Sequence, residues 1–179
     1  MNQVWILGQL AQYNLYRKNY RGALENATAA LKLTRANQPV LYYVYTGYVH
    51  TATVYLTLWA EPAFHDLSKQ ELQKLARQAV NEMKRYASAF NLGLPAAHRL
   101  QGWYVWLAGQ ERKAFQEWEK GLAKAAEFNM PYEEGMVHFE LGCHLTAGES
   151  GRDTHLQQAH KIFTKIGAAR ELAQVKALL

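Results

Sequence analysis

The sequence predicts an all-α chain of about four helix pairs closed by a terminal helix, and three observations carry that expectation. Of its 179 residues 49% are apolar, only four are proline, and Ala, Leu, Gln, Glu, Lys and Arg dominate, a composition that favours helix over strand. Apolar residues recur at three- and four-residue steps along most of the chain, marking single helical faces. The stretch 102–135, GWYVWLAGQERKAFQEWEKGLAKAAEFNMPYEEG, returns with variations elsewhere.

The first pair is expected over 3–36. Leu7, Leu10, Ala11 and Leu15 mark one face of its first helix, Lys18-Asn19 the turn, and Ala23, Leu24, Ala27, Ala30 and Leu31 the returning face. The second pair, 39–91, opens at Pro39, since proline suits a first helical position. Its first helix ends at Glu61-Pro62, and a connector runs over 63–67. Ser68 with Glu71 three residues on spells a capping box, and Leu72, Leu75, Ala76, Ala79, Val80 and Met83 follow on one face. The third pair, 95–129, turns at Ala108-Gly109-Gln110; Ala114, Phe115, Trp118, Leu122 and Ala125 line its second helix. Gly102, Ala114 and Gly121 allow close backbone approach there. The fourth pair, 131–167, breaks at a Gly-rich loop over 147–151. A last helix, 168–179, has no following partner and is the natural cap of a stack. The whole reads as one domain, 1–179.

A bulky residue, a small one, a turn, then an alanine and large apolar residues on the returning helix resemble a tetratricopeptide repeat. Equivalent alanines fall at Ala23, Ala76, Ala114 and Ala159. Every interval exceeds the usual period of about 34 residues, and the extra residues lie between helices. The resemblance implies a right-handed α-solenoid, whose first helices line a concave face, and a role in binding other proteins.

The second half resembles something narrower. Gly102-Trp103, Leu107-Ala108-Gly109, Ala114, Trp118, Met130-Pro131-Tyr132-Glu133, His138, Glu140-Leu141-Gly142, His144-Leu145, His155-Leu156, Ala159, Phe163 and Gly167-Ala168 are similar to the C-terminal helical-repeat region of large signalling ATPases. There a class III adenylate or guanylate cyclase, or a serine/threonine kinase, is joined to an NTPase module and a long tetratricopeptide region. The resemblance covers roughly residues 95–170. It implies a regulatory or scaffolding piece of a larger bacterial signalling protein without its catalytic parts. No G-x-x-x-x-G-K-[ST] occurs, and Gly148-Glu149-Ser150-Gly151 has neither its spacing nor its lysine.

Residue chemistry narrows the function further. The net charge of +5 is scattered, with no run of five like charges, so a solvated surface outweighs a nucleic-acid stripe. One cysteine, Cys143, excludes an intrachain disulfide and a multi-cysteine zinc site. His138, Cys143 and His144 stand at helical spacings that scatter them over different faces, as do His155 and His160. No catalytic, metal or cofactor set is therefore expected. Residues 40–60 carry no formal charge and could span a bilayer by length. Four threonines, five tyrosines, Gly47 and His50 argue instead for a helix buried among others. Without a secretory signal, the cytoplasm is the expected location.

Tyr16, Tyr48, Arg99, Trp103, Trp106 and Phe139 are the expected lining of a binding groove, with Arg99 and Trp103 four apart for a cation–π contact. The rival role for these aromatics is packing between repeats. The expected partner is a protein or peptide, with no nucleic acid and no membrane insertion, and the sequence is compatible with a homo-oligomer. The alternative function is an effector-sensing helical domain of a transcriptional activator, taking a peptide or small molecule.

Overall fold

A computed structural model describes residues 2–61, 63–64, 66–146, 148–149 and 151–179. Among the described residues nine α-helices follow one another, with two short 3₁₀ turns and no strand. The chain divides into two compact units, residues 1–93 with 107–109 and residues 94–106 with 110–179.

The first unit holds α1 (Asn2–Tyr16), α2 (Tyr20–Ala36), α3 (Tyr45–Ala60) and α4 (Lys69–Ala89). Lys18 turns the chain with φ +56°, and the Asn19 side chain caps α2 by accepting from the Gly22 amide at 3.1 Å. α1 crosses α3 at a pair of glycines. A Cβ on Gly8 would lie 2.6 Å from Gly47 Cα, and one on Gly47 would lie 2.5 Å from the Val4 carbonyl oxygen. α1, α2 and α4 all pack on α3, which explains why its sequence carries no charge. Two of its hydroxyls are paired, Thr51 donating to the Gly47 carbonyl at 2.7 Å and Tyr55 meeting the Thr28 hydroxyl at 3.0 Å, whereas the buried Tyr48 hydroxyl has no hydrogen-bond partner among the described residues.

α3 starts later than expected. Leu41 is extended, Tyr42–Val44 form a 3₁₀ turn, and Val40, Tyr42 and Tyr43 are exposed. Leu41 makes no capping side-chain bond, and this run of β-branched and aromatic residues is poor at starting a helix unaided. Proline at 39 is therefore not a helix start here. Burial of the uncharged stretch begins at Val44, and no helix among the described residues is long and apolar enough to cross a membrane. The capping box forms as spelled: the Glu71 amide donates to Ser68 Oγ at 3.2 Å and the Ser68 amide to Glu71 at 2.9 Å. From α4, Arg85 reaches back to the carbonyls of Thr34 and Asn37, satisfying orphan acceptors at the C-terminus of α2.

The second unit holds α5 (Leu94–Leu107), α6 (Glu111–Glu127), α7 (Pro131–His144), α8 (Arg152–Ile166) and α9 (Ala169–Lys176). Trp118 on α6 is its centre, fully buried with Ala114, Val105, Val137 and Leu141. Gly102 on α5 makes room for it, since a Cβ there would stand 2.4 Å from the indole nitrogen. That nitrogen donates to the Arg99 carbonyl at 3.1 Å. A second cluster joins Leu156, Ala159 and Phe163 of α8 to Val175 of α9. The terminal helix thus contributes to a core, though it is shorter than expected at eight residues. Of the interhelical loop expected over 147–151, Ala147 and Ser150 lie outside the described residues, as do Pro62 and His65 of the earlier connector.

Candidate functional site

α1 carries no Asp, Glu, Lys or Arg over its length, and it is apolar on two opposite faces. Val4, Gly8, Ala11 and Leu15 turn inward. On the other side Ile6, Leu10 and Tyr13, at i, i+4 and i+7, form a second stripe flanked by Trp5 and Tyr16. These five are between 43% and 58% exposed. Leu10 was expected on the inner face with Ala11 and Leu15; it is 44% exposed instead. Five large apolar side chains gathered on one solvent-facing helix are unusual for a surface, where such residues normally stand singly. α2, α4, α6 and α8, by contrast, all carry charged residues.

The expected groove residues fall in both units. Tyr16 lies on this open face of α1. Tyr48 is 1% exposed, its ring 5.0 Å from that of Tyr86, and burial raises its hydroxyl above the usual tyrosine range. It is an interior residue, because α3 is covered by three helices. Arg99 is interior as well. Its Nε donates to Glu133 at 3.1 Å, both side chains 3% exposed, so the guanidinium is committed to a buried ion pair. Trp103 is half-buried. Trp106 is half-buried and packed: its ring sits 4.4 Å from His144, 5.9 Å from Trp118 and 6.0 Å from Phe115. Phe139 packs against the α8–α9 cluster.

α7 carries a row of buried ionisable groups that sequence reasoning did not assemble. Burial pushes the Glu140 carboxyl up to about 7, with the Arg99 charge offsetting part of this. Glu140 Oε2 lies 3.7 Å from His144 Nδ1, but burial also lowers the His144 pKa. Near neutral pH Glu140 is therefore about half protonated while His144 is mainly neutral, so the short distance is not a full ion pair. His144 Nδ1 lies 2.8 Å from the Glu140 carbonyl oxygen; a carbonyl only accepts, so this nitrogen carries the proton. His138 and His155 share an Nδ1–Nδ1 contact of 2.8 Å. Burial pushes His138 down to about 4, and the His155 charge adds to that. Burial and Glu140 push the Cys143 thiol up to about 12, leaving little thiolate for nucleophilic attack. Among the described residues no three His, Cys, Asp or Glu side chains come together as a metal set.

The first unit also has an open groove of about 420 Å³ among α2, α3 and α4. Leu31, Ala36, Tyr55 and Leu75 supply an apolar floor, with Lys32, Arg35 and Gln78 at its rim. Arg35 Nη1 donates to Gln78 across it at 3.3 Å.

The chain matches no family model, no curated protein and no solved structure.

Proposed function

We propose that this chain is a non-catalytic protein-interaction module, which binds a protein or peptide through the outer face of α1 and turns over no substrate. In this reading the helix pairs stack as a right-handed tetratricopeptide-like α-solenoid with α9 as its cap. It serves in the cytoplasm as a regulatory or scaffolding part of a larger bacterial signalling protein. The observation that carries the binding role is the uncharged, doubly apolar α1. A helix with two opposite apolar faces buries only one of them against its own unit and leaves the other for a partner, and aromatic side chains such as Trp5, Tyr13 and Tyr16 are types enriched at interface hot spots.

The test is photocrosslinking of the full chain in its source cells, with p-benzoylphenylalanine replacing Tyr13 and, as control, replacing exposed Gln157 on α8. Discrete polypeptide adducts at position 13 and none at 157 are expected. Adducts equally frequent at both positions, or none at either, would overturn the reading.

The groove favours a second reading, the effector-sensing domain. Two cations over an apolar floor suit a small carboxylate with an apolar body. Calorimetric titration with octanoate, against an octanol control, checks it: binding lost in Lys32→Ala, Arg35→Ala supports an effector site, and no heat above the control rejects this class of ligand.

A further inference from the structure

Resting on the interaction role of α1, we infer that the partner covering its outer face is a second copy of this chain, paired α1 against α1 across a two-fold axis. Three properties of the face point to self-association. Within α1 it holds no charge, and exposed Arg17 follows just past its C-terminal end, so an antiparallel pairing of the stripe with itself opposes no like charges, which would otherwise disfavour an isologous contact. Two of its polar neighbours are already paired within the chain, Gln9 donating to the Thr46 hydroxyl at 3.4 Å and Asn2 accepting from the Tyr43 hydroxyl, so an apolar contact over the stripe need not leave them unsatisfied. Its area suits a reversible pair. Large side chains at this exposure leave on the order of 100 Å² each. Complete covering of all five gives at most about 500 Å² per copy and about 1,000 Å² for the pair, the size of a weak, reversible interface rather than a permanent one.

α3 shows what such a helix needs. It too is uncharged, and in the folded unit α1 lies along one of its flanks. The Gly8–Gly47 approach shows that two uncharged helices of this chain pack backbone to backbone. A second α1 would cover the first on its open side as the first covers α3. The contact leans on Ile6, Leu10 and Tyr13 at the centre of the stripe, with Trp5 beside them.

Sedimentation equilibrium of the full chain over roughly two decades of concentration tests this. The average mass should rise from 20.4 kDa towards twice that value. Leu10→Glu and Ile6→Glu should each hold the chain at the single mass, because the pair would confront two carboxylates. Gln157→Glu, which adds the same charge on α8, should behave as the parent. Helicity of all variants is checked by circular dichroism, and the substituted α1 positions are exposed, so loss of fold is not expected. A parent that stays at the single mass throughout overturns the second copy. So does a dimer that persists in both α1 variants, since it would use another surface. If the chain is monomeric yet Tyr13 crosslinks to other polypeptides, the second copy falls while the interaction role stands.

Discussion

Trp118 and Arg99 show how differently two residues of consecutive helices could be read from sequence. The tryptophan lies on an apolar stripe, and its burial follows from periodicity alone. Trp118→Ala should cost about 3–5 kcal/mol, read by denaturant unfolding; a loss below about 1 kcal/mol would contradict its central place. Arg99 was not legible, because its acidic partner Glu133 is 34 residues away and only the packing of α5 on α7 brings them together. Two further groups give a pH dependence with opposite signs. The unfolded chain protonates His138 near 6.5, the folded chain only near 4. That contribution is present above about pH 6.5 and lost as pH falls towards 4. Glu140 keeps its proton to about 7 when folded and to 4.5 when unfolded. Its contribution is complete below about 4.5 and lost as pH rises through 7. Glu140→Gln, measured by thermal melts, should therefore gain on the parent between about pH 5 and pH 8. An equal difference at both pH values would show that Glu140 does not titrate in this window.

Helices were legible where chemistry at their ends was explicit. Ser68 and Glu71 announce α4, and Gly109, with φ +76°, announces the turn before α6. The start of α3 was not legible, because Pro39 is a helix starter only when the following residues favour helix. Nor was the exposure of Leu10, since α1 offers two apolar stripes and periodicity cannot say which one meets α3. The glycines settle that choice. Gly8→Ala should destabilise by about 1–3 kcal/mol, because its Cβ would meet the Gly47 backbone at 2.6 Å and backbone yields little. Gly121→Ala is the contrast: its nearest neighbours would stand at 3.2 Å or beyond, and a mid-helix alanine offsets that crowding. Thermal melts should place Gly8→Ala well below Gly121→Ala, and the reverse order would reject the α1–α3 crossing.

At the scale of the molecule, composition and periodicity were enough to foretell an all-helical chain, because the helical stripes and the turn residues agree. The place of binding was harder to read. A rule that first helices line a groove pointed to Tyr48 and Arg99, which the fold buries, whereas the open face of α1 was signalled only by an absence of charge. Oxidative footprinting of Trp5 and Tyr13 tests most directly whether that face is covered when the protein works. Their oxidation should fall several-fold in the source cells relative to the dilute purified chain, while exposed Tyr132 on α7 stays unchanged. Equal oxidation of Trp5 and Tyr13 in both settings would contradict the account.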